Sequence, residues 1–256
     1  GGRLAKIRDA QSIDSELRFR VERTFEGTPA RTTRAFTRAR LNGMELTGST
    51  EIDGKVHKWK GWRSPEITDR DDGSWRGGPS GGLQPPALSG LTTRSEGPIN
   101  EWQVIGGVLS KLNSKAGLLV TREQFWNFKL RLEYRLPPKG NSGIGLRHHY
   151  ELQLADDFGE PPDVHGNASL YSRIAPRVNA SGPPNEWQTV ELRLVGRELS
   201  VSLNGTKVIE RARIDGLCGL ALDPWEEHPG PISLQGDHGP VEFRSVLVTP
   251  LLKSSN

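Results

Sequence analysis

The stretch FKLRLEYRLPPKGNSGIGLRHHYELQLAD, residues 128–156, decides the fold of this 256-residue chain. Apolar side chains occupy every second position from Phe128 to Leu136, and charged side chains fill the positions between them. This period of two is the pattern of a β-strand with one buried face. Pro137 and Pro138 follow directly, and we expect them to end the strand, because proline has no N–H to donate to a ladder.

A second strand is predicted after the turn residues 140–143. Its apolar side chains share one parity, at Ile144, Leu146, Tyr150, Leu152 and Leu154. The opposite parity carries Arg147, His149, Glu151 and Gln153. A strand face that only meets solvent more often carries threonine, serine or lysine, so we predict that this polar face is the functional site.

The composition favours short strands and tight turns over a helical bundle. Apolar residues make up 34% of the chain, which also contains 30 glycines and 18 prolines. Strand-like segments recur after residue 101, and the Asn204-Gly205 pair is typical of a type I′ hairpin turn. These features predict an all-β fold, an antiparallel β-sandwich or jelly roll, with a single domain over residues 41–252.

Residues 1–40 are predicted to form a separate basic segment. They hold ten lysines and arginines against five acids, a net charge of +5, whereas the whole chain carries +3. We expect this segment to be poorly ordered or irregular, and residues 55–98, rich in glycine, proline and tryptophan, to form long loops. The remaining body lacks the basic stripe that nucleic acid requires, so we predict no nucleic-acid partner.

Three further sequence features concern the cellular environment. The single cysteine, Cys218, excludes an intrachain disulfide, and its apolar neighbours indicate a small buried hydrophobe. The chain has no run of about 18 apolar residues, so no membrane span is predicted. It opens on Gly1-Gly2 without a charged and then apolar leader, so we expect a secretion signal to be absent or already removed.

Six motifs, in order along the chain, resemble the bacterial 3-keto-disaccharide hydrolase domain, also described as a 3-keto-glycoside lyase/hydratase. They lie at residues 102–109, 117–121, 127–147, 150–153, 203–205 and 229–244. The resemblance covers about residues 100–252, and the long central run makes it specific. The first 100 residues depart from the family pattern, whose usual opening motif has only faint counterparts at 41–43 and 61–62.

The resemblance implies a concanavalin-like β-sandwich that acts on glycosides already oxidised to a ketone at C3. Such a ketone acidifies the C2 proton, so a base can form an enolate, the C1 substituent can leave, and water can add back. We predict no cofactor, with a divalent metal as the open alternative. The family implies a carbohydrate substrate, an upstream sugar oxidoreductase that supplies the ketone, and a periplasmic or secreted location.

Three side chains are predicted to be catalytic. His238 lies in a glycine-flanked turn, and an imidazole titrates near neutrality. Glu151 is a candidate base, and Arg147 could stabilise the enolate oxygen through its fork of donors. The predicted substrate-binding residues are Gln153, Glu133, Asp156 and Asn141. Each candidate also has a structural alternative. His238 would be a surface-turn histidine, Arg147 and Glu151 an exposed ion pair, and Asp156 a turn residue.

Three alternatives remain open, namely a bound metal, a carbohydrate-binding module and a classical glycosidase. A divalent metal would need His148, His149 and Glu151 together, although adjacent strand residues point to opposite faces. A carbohydrate-binding module without turnover would use the tryptophans of the predicted loops. Those tryptophans are Trp59, Trp62 and Trp75. A classical glycosidase would need a pair of carboxylates drawn from Glu133, Glu151 and Asp156.

Overall fold

The computed structural model describes residues 6–25, 31–62, 65–82, 90–93, 102–111, 117–218, 221 and 223–254. Within these ranges the chain forms β-strands and no α-helix, and none of its elements is a helix long and apolar enough to cross a membrane. The chain divides into two compact units, residues 3–65 and residues 66–256. Each unit has its own sheets.

The smaller unit is one antiparallel meander of five strands. The strands are β1 (Lys6–Ile13), β2 (Glu16–Phe25), β3 (Arg31–Asn42), β4 (Glu45–Ile52) and β5 (Lys55–Trp62). This arrangement differs from the irregular segment predicted over residues 1–40 and from the loops predicted from residue 55. The division between the units also falls after residue 65, and not after residue 40.

The many charged residues of the smaller unit are compatible with strands because they alternate with buried residues along the chain. In β3, Thr37 and Ala39 are buried, whereas Arg38 and Arg40 are exposed. Acids on neighbouring strands partly balance the exposed arginines, as in the Arg34 pair with Glu22 at 3.2 Å. A period of two was therefore present, but small and polar residues on the inner parity concealed it.

In the larger unit, the described residues form fourteen strands, which are divided between two antiparallel sheets. These are β6 (Trp75–Gly77), β7 (Gly81–Gly82), β8 (Leu91–Thr93), β9 (Gln103–Ile105), β10 (Val108–Lys111), β11 (Leu119–Thr121), β12 (Phe128–Arg135), β13 (Asn141–Leu146), β14 (Tyr150–Ala155), β15 (Gln188–Val195), β16 (Glu198–Leu203), β17 (Thr206–Arg213), β18 (Ser233–Leu234) and β19 (Val241–Lys253). The nine-stranded sheet has the order β17-β16-β15-β12-β19-β10-β9, and β6 and β7 also pair with β19. The five-stranded sheet has the order β14-β13-β18-β11-β8.

One hydrophobic core joins the two sheets. Leu130 and Leu132 of β12 and Ile144 and Leu152 of the smaller sheet are all buried and belong to the same cluster. Burying each such side chain stabilises the fold by about 1.5–3 kcal/mol. The alternation predicted for these two sheets is therefore confirmed, and the fold is the predicted antiparallel β-sandwich.

The turn between β13 and β14 positions the polar face of the smaller sheet. Arg147 and His148 both have positive φ, at 54° and 58°, and the His149 N–H donates to the Leu146 carbonyl at 3.1 Å. Gly230 passes so close to this turn that a Cβ there would lie 2.0 Å from the Arg147 carbonyl oxygen. Because only glycine fits, the turn and the Gly230 segment are packed backbone to backbone.

We expect Gly230→Ala to lower the free energy of unfolding by about 2 kcal/mol or more, because the backbone must move to admit the methyl group. Denaturant unfolding measures the change. Gly117→Ala is the matched control, since a Cβ at Gly117 meets nothing within 4 Å. Equal stability of the two variants would contradict the close packing of Gly230.

Candidate active site

Glu151 is a buried carboxyl group on the outer face of the five-stranded sheet. Its strand neighbours Tyr150 and Leu152 lie in the core, so Glu151 points the other way, yet it is only 7% exposed. Burial raises the pKa of Glu151, because it removes water from the carboxylate; a charged His238 nearby lowers that pKa, and Asp237 raises it. A carboxyl in this state suits general acid or base catalysis.

The Glu151 carboxyl and the side-chain oxygen of Gln235 both lie over Gly143. A Cβ on Gly143 would lie 2.8 Å from Glu151 Oε1 and 3.2 Å from Gln235 Oε1. The Gln235 N–H also donates to the Gly143 carbonyl at 2.9 Å, which aligns the two strands. Gln235 was not among the predicted site residues, although it shares the parity of Ser233 in β18 and lies within the motif 229–244.

Gln153 and Asn141 lie beside Glu151 on the same sheet. Gln153 Nε2 donates to Asn141 Oδ1 at 2.9 Å, and Gln153 is buried. This bond fixes both amides and leaves Asn141 Nδ2 as a donor that no described protein group engages. The pair can therefore bind a hydroxyl or carbonyl oxygen.

His238 lies in the turn after β18, with its ring half-exposed. Its Nδ1 lies 2.8 Å from Asp237 Oδ1, so the aspartate orients the ring. The structure thus brings Glu151, Gln153 and Asn141 together on one sheet, and His238 follows Gln235 by three residues, while the catalytic and binding roles of all four stay predictions.

Arg147 does not join this group, and its predicted contact with an enolate needs correction. Its guanidinium is fully buried and donates to the carbonyls of Trp126 at 2.5 Å and Gly196 at 2.9 Å, and to Asn127 Oδ1 at 3.2 Å. It also lies 3.9 Å from the Trp126 ring centroid. Burial lowers the pKa of Arg147 to about 10. Positive φ at this turn breaks the strand alternation on which the prediction depended, so Arg147 has a structural place.

Glu133 and Asp156 also lie outside the group. Glu133 is on the outer face of the other sheet, where it accepts from Arg244 Nε at 2.6 Å. Asp156 accepts from the Lys139 N–H at 2.7 Å and so closes the turn before β13. Neither carboxylate shares the face of Glu151, so the pairs considered for a classical glycosidase do not form.

His149 and Asp223 form a pair that the sequence did not single out as a unit. His149 Nε2 lies 3.0 Å from Asp223 Oδ1, and the imidazole is buried whereas Asp223 is 46% exposed. Partial burial raises the pKa of Asp223, but hydrogen bonds from the Trp225 N–H and from His149 outweigh it, so the pKa is lowered. Across the described ranges, no three histidine, cysteine or acidic residues are arranged to hold a metal ion.

Cys218 packs behind this region as a buried thiol. Its Sγ donates to the Tyr171 carbonyl at 3.3 Å, and its N–H donates to the His149 carbonyl at 3.0 Å. Burial raises the pKa of the thiol to about 11. A thiol that stays protonated is a poor nucleophile, which agrees with its interpretation as a small hydrophobe.

A separate groove of about 370 Å³ lies on the outer face of the nine-stranded sheet. Three of its charged side chains are engaged, because Arg193 forms a bidentate pair with Asp71 and Arg131 pairs with Glu191. The only carboxylate in its lining is thus held by a cation, and the groove lacks a carboxyl with a raised pKa among the described residues. The chemistry therefore points to the Glu151 face.

Comparison with protein families identifies the chain. The sequence model of the 3-keto-alpha-glucoside-1,2-lyase-like domain matches residues 49–249. The chain belongs to this family. The match includes β13 and β14, which carry Asn141, Glu151 and Gln153. It also extends further towards the N-terminus than the six motifs do. A comparison with curated proteins finds no match.

Solved structures similar to this member of the family share its fold. One, a candidate glycosyl hydrolase from Parabacteroides distasonis, is 26% identical with a TM-score of 0.59, and the alignment covers 67% of this chain and 83% of that one. A second candidate glycosyl hydrolase from that organism is 21% identical with a TM-score of 0.54, covering 64% and 90%. Family and neighbours are those of carbohydrate-active enzymes with a concanavalin-like β-sandwich.

The raised pKa of Glu151 gives a prediction for stability against pH. Between the unfolded pKa of about 4.3 and the raised folded value, the folded state binds more protons than the unfolded state, so stability falls as pH rises. We expect Glu151→Gln to remove this fall, so that the variant gains stability relative to the wild type as pH rises from 4 to neutrality. Denaturant unfolding at several pH values measures this, and parallel pH profiles would contradict it.

The buried contacts of Arg147 predict that its substitution destabilises the fold. Arg147→Met removes the donor to the buried carbonyls of Trp126 and Gly196 and one of the two donors to Asn127 Oδ1, so we expect the free energy of unfolding to fall by about 2 kcal/mol or more. Arg131→Met, which removes an exposed pair, should change it by less than about 1 kcal/mol. Thermal and denaturant unfolding compare the two, and a small effect at Arg147 would refute its structural place.

Proposed function

We propose that this protein cleaves the glycosidic bond of 3-keto-glycosides by proton abstraction at C2, elimination at C1 and hydration. The observation that carries the proposal is the buried Glu151 carboxyl, whose pKa is raised, beside His238 on a face lined with amides. Membership of the 3-keto-alpha-glucoside-1,2-lyase-like family supports the same chemistry.

In the first step, Glu151 acts as the base. The ketone at C3 makes the C2 proton acidic, and a carboxylate that burial has made more basic is better matched to it. The proton passes from C2 to Glu151, and the electrons of the C–H bond form the enolate of C2, C3 and the ketone oxygen. Its desolvated position gives Glu151 a stronger drive to accept the proton than an exposed carboxylate has.

The enolate oxygen then needs donors that are already in position. Arg147 is held elsewhere, so the donors on this face are the amides of Gln153, Asn141 and Gln235. The Gln153 and Asn141 side chains fix each other at 2.9 Å, which reduces the reorganisation needed during the reaction. Preorganised donors of this kind stabilise developing negative charge more than mobile solvent does.

In the elimination step, the enolate electrons form the C1–C2 double bond and restore the ketone while the C1–O bond breaks. His238, protonated and oriented by Asp237 at 2.8 Å, gives a proton to the departing oxygen. Water then adds its oxygen to C1 and loses a proton to the now neutral His238, while Glu151 returns its proton to C2, so both side chains regain their starting states. The net reaction is hydrolysis, and its substrate must come from an oxidoreductase that converts a C3 hydroxyl to a ketone.

The test incubates the purified protein with a 3-keto-glucoside and, separately, with the unoxidised parent. We expect cleavage of the keto substrate alone. Glu151→Gln should lower kcat/KM by about 100-fold or more, and His238→Ala should lower it as well, since a positioned acid or base contributes on that scale. Chromatography of products measures the rates, and loss of C2 deuterium exchange in Glu151→Gln isolates the first step.

Glu133→Gln is the matched control, because it makes the same chemical change on the other sheet, and its activity should equal that of the wild type. Equal cleavage of both substrates would replace the elimination mechanism with ordinary glycoside hydrolysis. If neither is cleaved while calorimetry detects saturable glycan binding, the alternative of a carbohydrate-binding module replaces the enzyme. The tryptophans first considered for that alternative lie in strands, Trp59 and Trp62 in β5 and Trp75 in β6.

A further inference from the structure

We propose that Trp225 and Asp223 form a subsite for a second pyranose ring, the one that leaves from C1. The proposal rests on the proposed function, which places the oxidised ring at Glu151. It makes the leaving group itself a sugar, and it assigns recognition of that sugar to the short segment 223–228.

The segment is anchored from beneath by a buried carboxylate. Glu226 is 5% exposed, accepts from the Tyr150 hydroxyl at 2.6 Å and forms an ion pair with Arg197. The His228 N–H donates to the Trp225 carbonyl at 2.9 Å, which closes a turn within the segment. The neighbours of Trp225 are therefore fixed in place by the sandwich.

Trp225 is nevertheless 45% exposed on this anchored turn. Its ring stacks against His228, with the ring centroids 6.3 Å apart and the planes 26° from parallel. An oriented indole that leaves nearly half of its surface to water offers a flat platform. The C–H face of a pyranose fits such a platform, because these hydrogens carry partial positive charge and the face of an aromatic ring is negative.

Asp223 supplies the polar half of the subsite. Its Oδ1 accepts from the Trp225 N–H at 2.8 Å and from His149 Nε2 at 3.0 Å, which fixes the carboxylate beside the indole. Its Oδ2 has no partner among the described residues, and the lowered pKa keeps the group ionised. An ionised, half-exposed oxygen next to a ring binds hydroxyl groups. This combination selects a hydroxylated ring over an apolar leaving group.

The subsite lies close to Glu151. His149 and Glu151 are two residues apart, so their Cα atoms are separated by no more than about 7 Å. Asp223 contacts the His149 ring directly. Cys218 donates to the His149 carbonyl and, through its thiol, to the carbonyl of Tyr171, whose N–H donates to the Glu151 carbonyl. The segment that carries Asp223 and Trp225 is therefore attached just before β14, two residues before Glu151.

The experiment compares a 3-keto-disaccharide with methyl 3-keto-glucoside as substrates of the full chain. We expect Trp225→Ala to raise KM for the disaccharide about tenfold, and Asp223→Asn to raise it by a similar factor, since central aromatic and charged contacts have effects of this size. Neither variant should change kcat/KM for the methyl glycoside. Trp62→Ala, which removes another exposed tryptophan, should leave both substrates unaffected.

A second measurement separates this proposal from the proposed function. Calorimetry follows binding of the unoxidised disaccharide to Glu151→Gln, with and without Trp225→Ala. If wild type cleaves keto substrates but Trp225→Ala binds and turns over the disaccharide normally, the subsite is overturned while the proposed function stands. Equal losses on both substrates also overturn it. If nothing is cleaved and Trp225→Ala abolishes disaccharide binding, the proposed function fails and the subsite stands.

Discussion

The buried guanidinium of Arg147 connects the hairpin of the smaller sheet to the larger sheet. It reaches the carbonyl of Trp126, just before β12, and the carbonyl of Gly196, between β15 and β16. Asn127 completes the junction, because its side chain accepts from Arg147 and from the Gly196 N–H. Removing a charge from water is costly, and only a full set of acceptors offsets that cost. The start of β14, and with it the position of Glu151, depends on this junction.

The Glu151 face shows how a sandwich can bury a carboxyl without a cation. Glycine at position 143 leaves the space that the Glu151 carboxyl and the Gln235 side-chain oxygen occupy. No described cation contacts Glu151 within ion-pair distance, so burial dominates its pKa. An apolar residue at this position would be more stable. A buried, destabilising carboxyl is the condition expected of a group that must change its protonation state during a reaction.

Strand periodicity allowed much of the fold to be predicted from the sequence, and it failed where local geometry overrode it. The alternation in residues 128–154 gave the core, and Asn204-Gly205 has positive φ at both positions, at 50° and 78°, as a type I′ turn requires. Arg147 has the parity of Glu151, but positive φ rotates it away from the polar face. Gln235 and Asp223 reach the site through contacts between distant segments, which no local pattern contains. Polar residues on both parities likewise hid the strands of residues 6–62.

Two carboxylates near the start of β14 are placed in opposite environments. Glu151 is desolvated and its pKa is raised, whereas Asp223 is half-exposed, accepts two hydrogen bonds and has its pKa lowered. The first environment favours exchange of a proton, and the second favours a permanent charge that accepts hydrogen bonds from hydroxyl groups. His149 and Glu151, two residues apart, hold these environments at a fixed spacing. Under the two proposals, proton transfer and sugar recognition could therefore be altered independently, although one short strand supports both carboxylates.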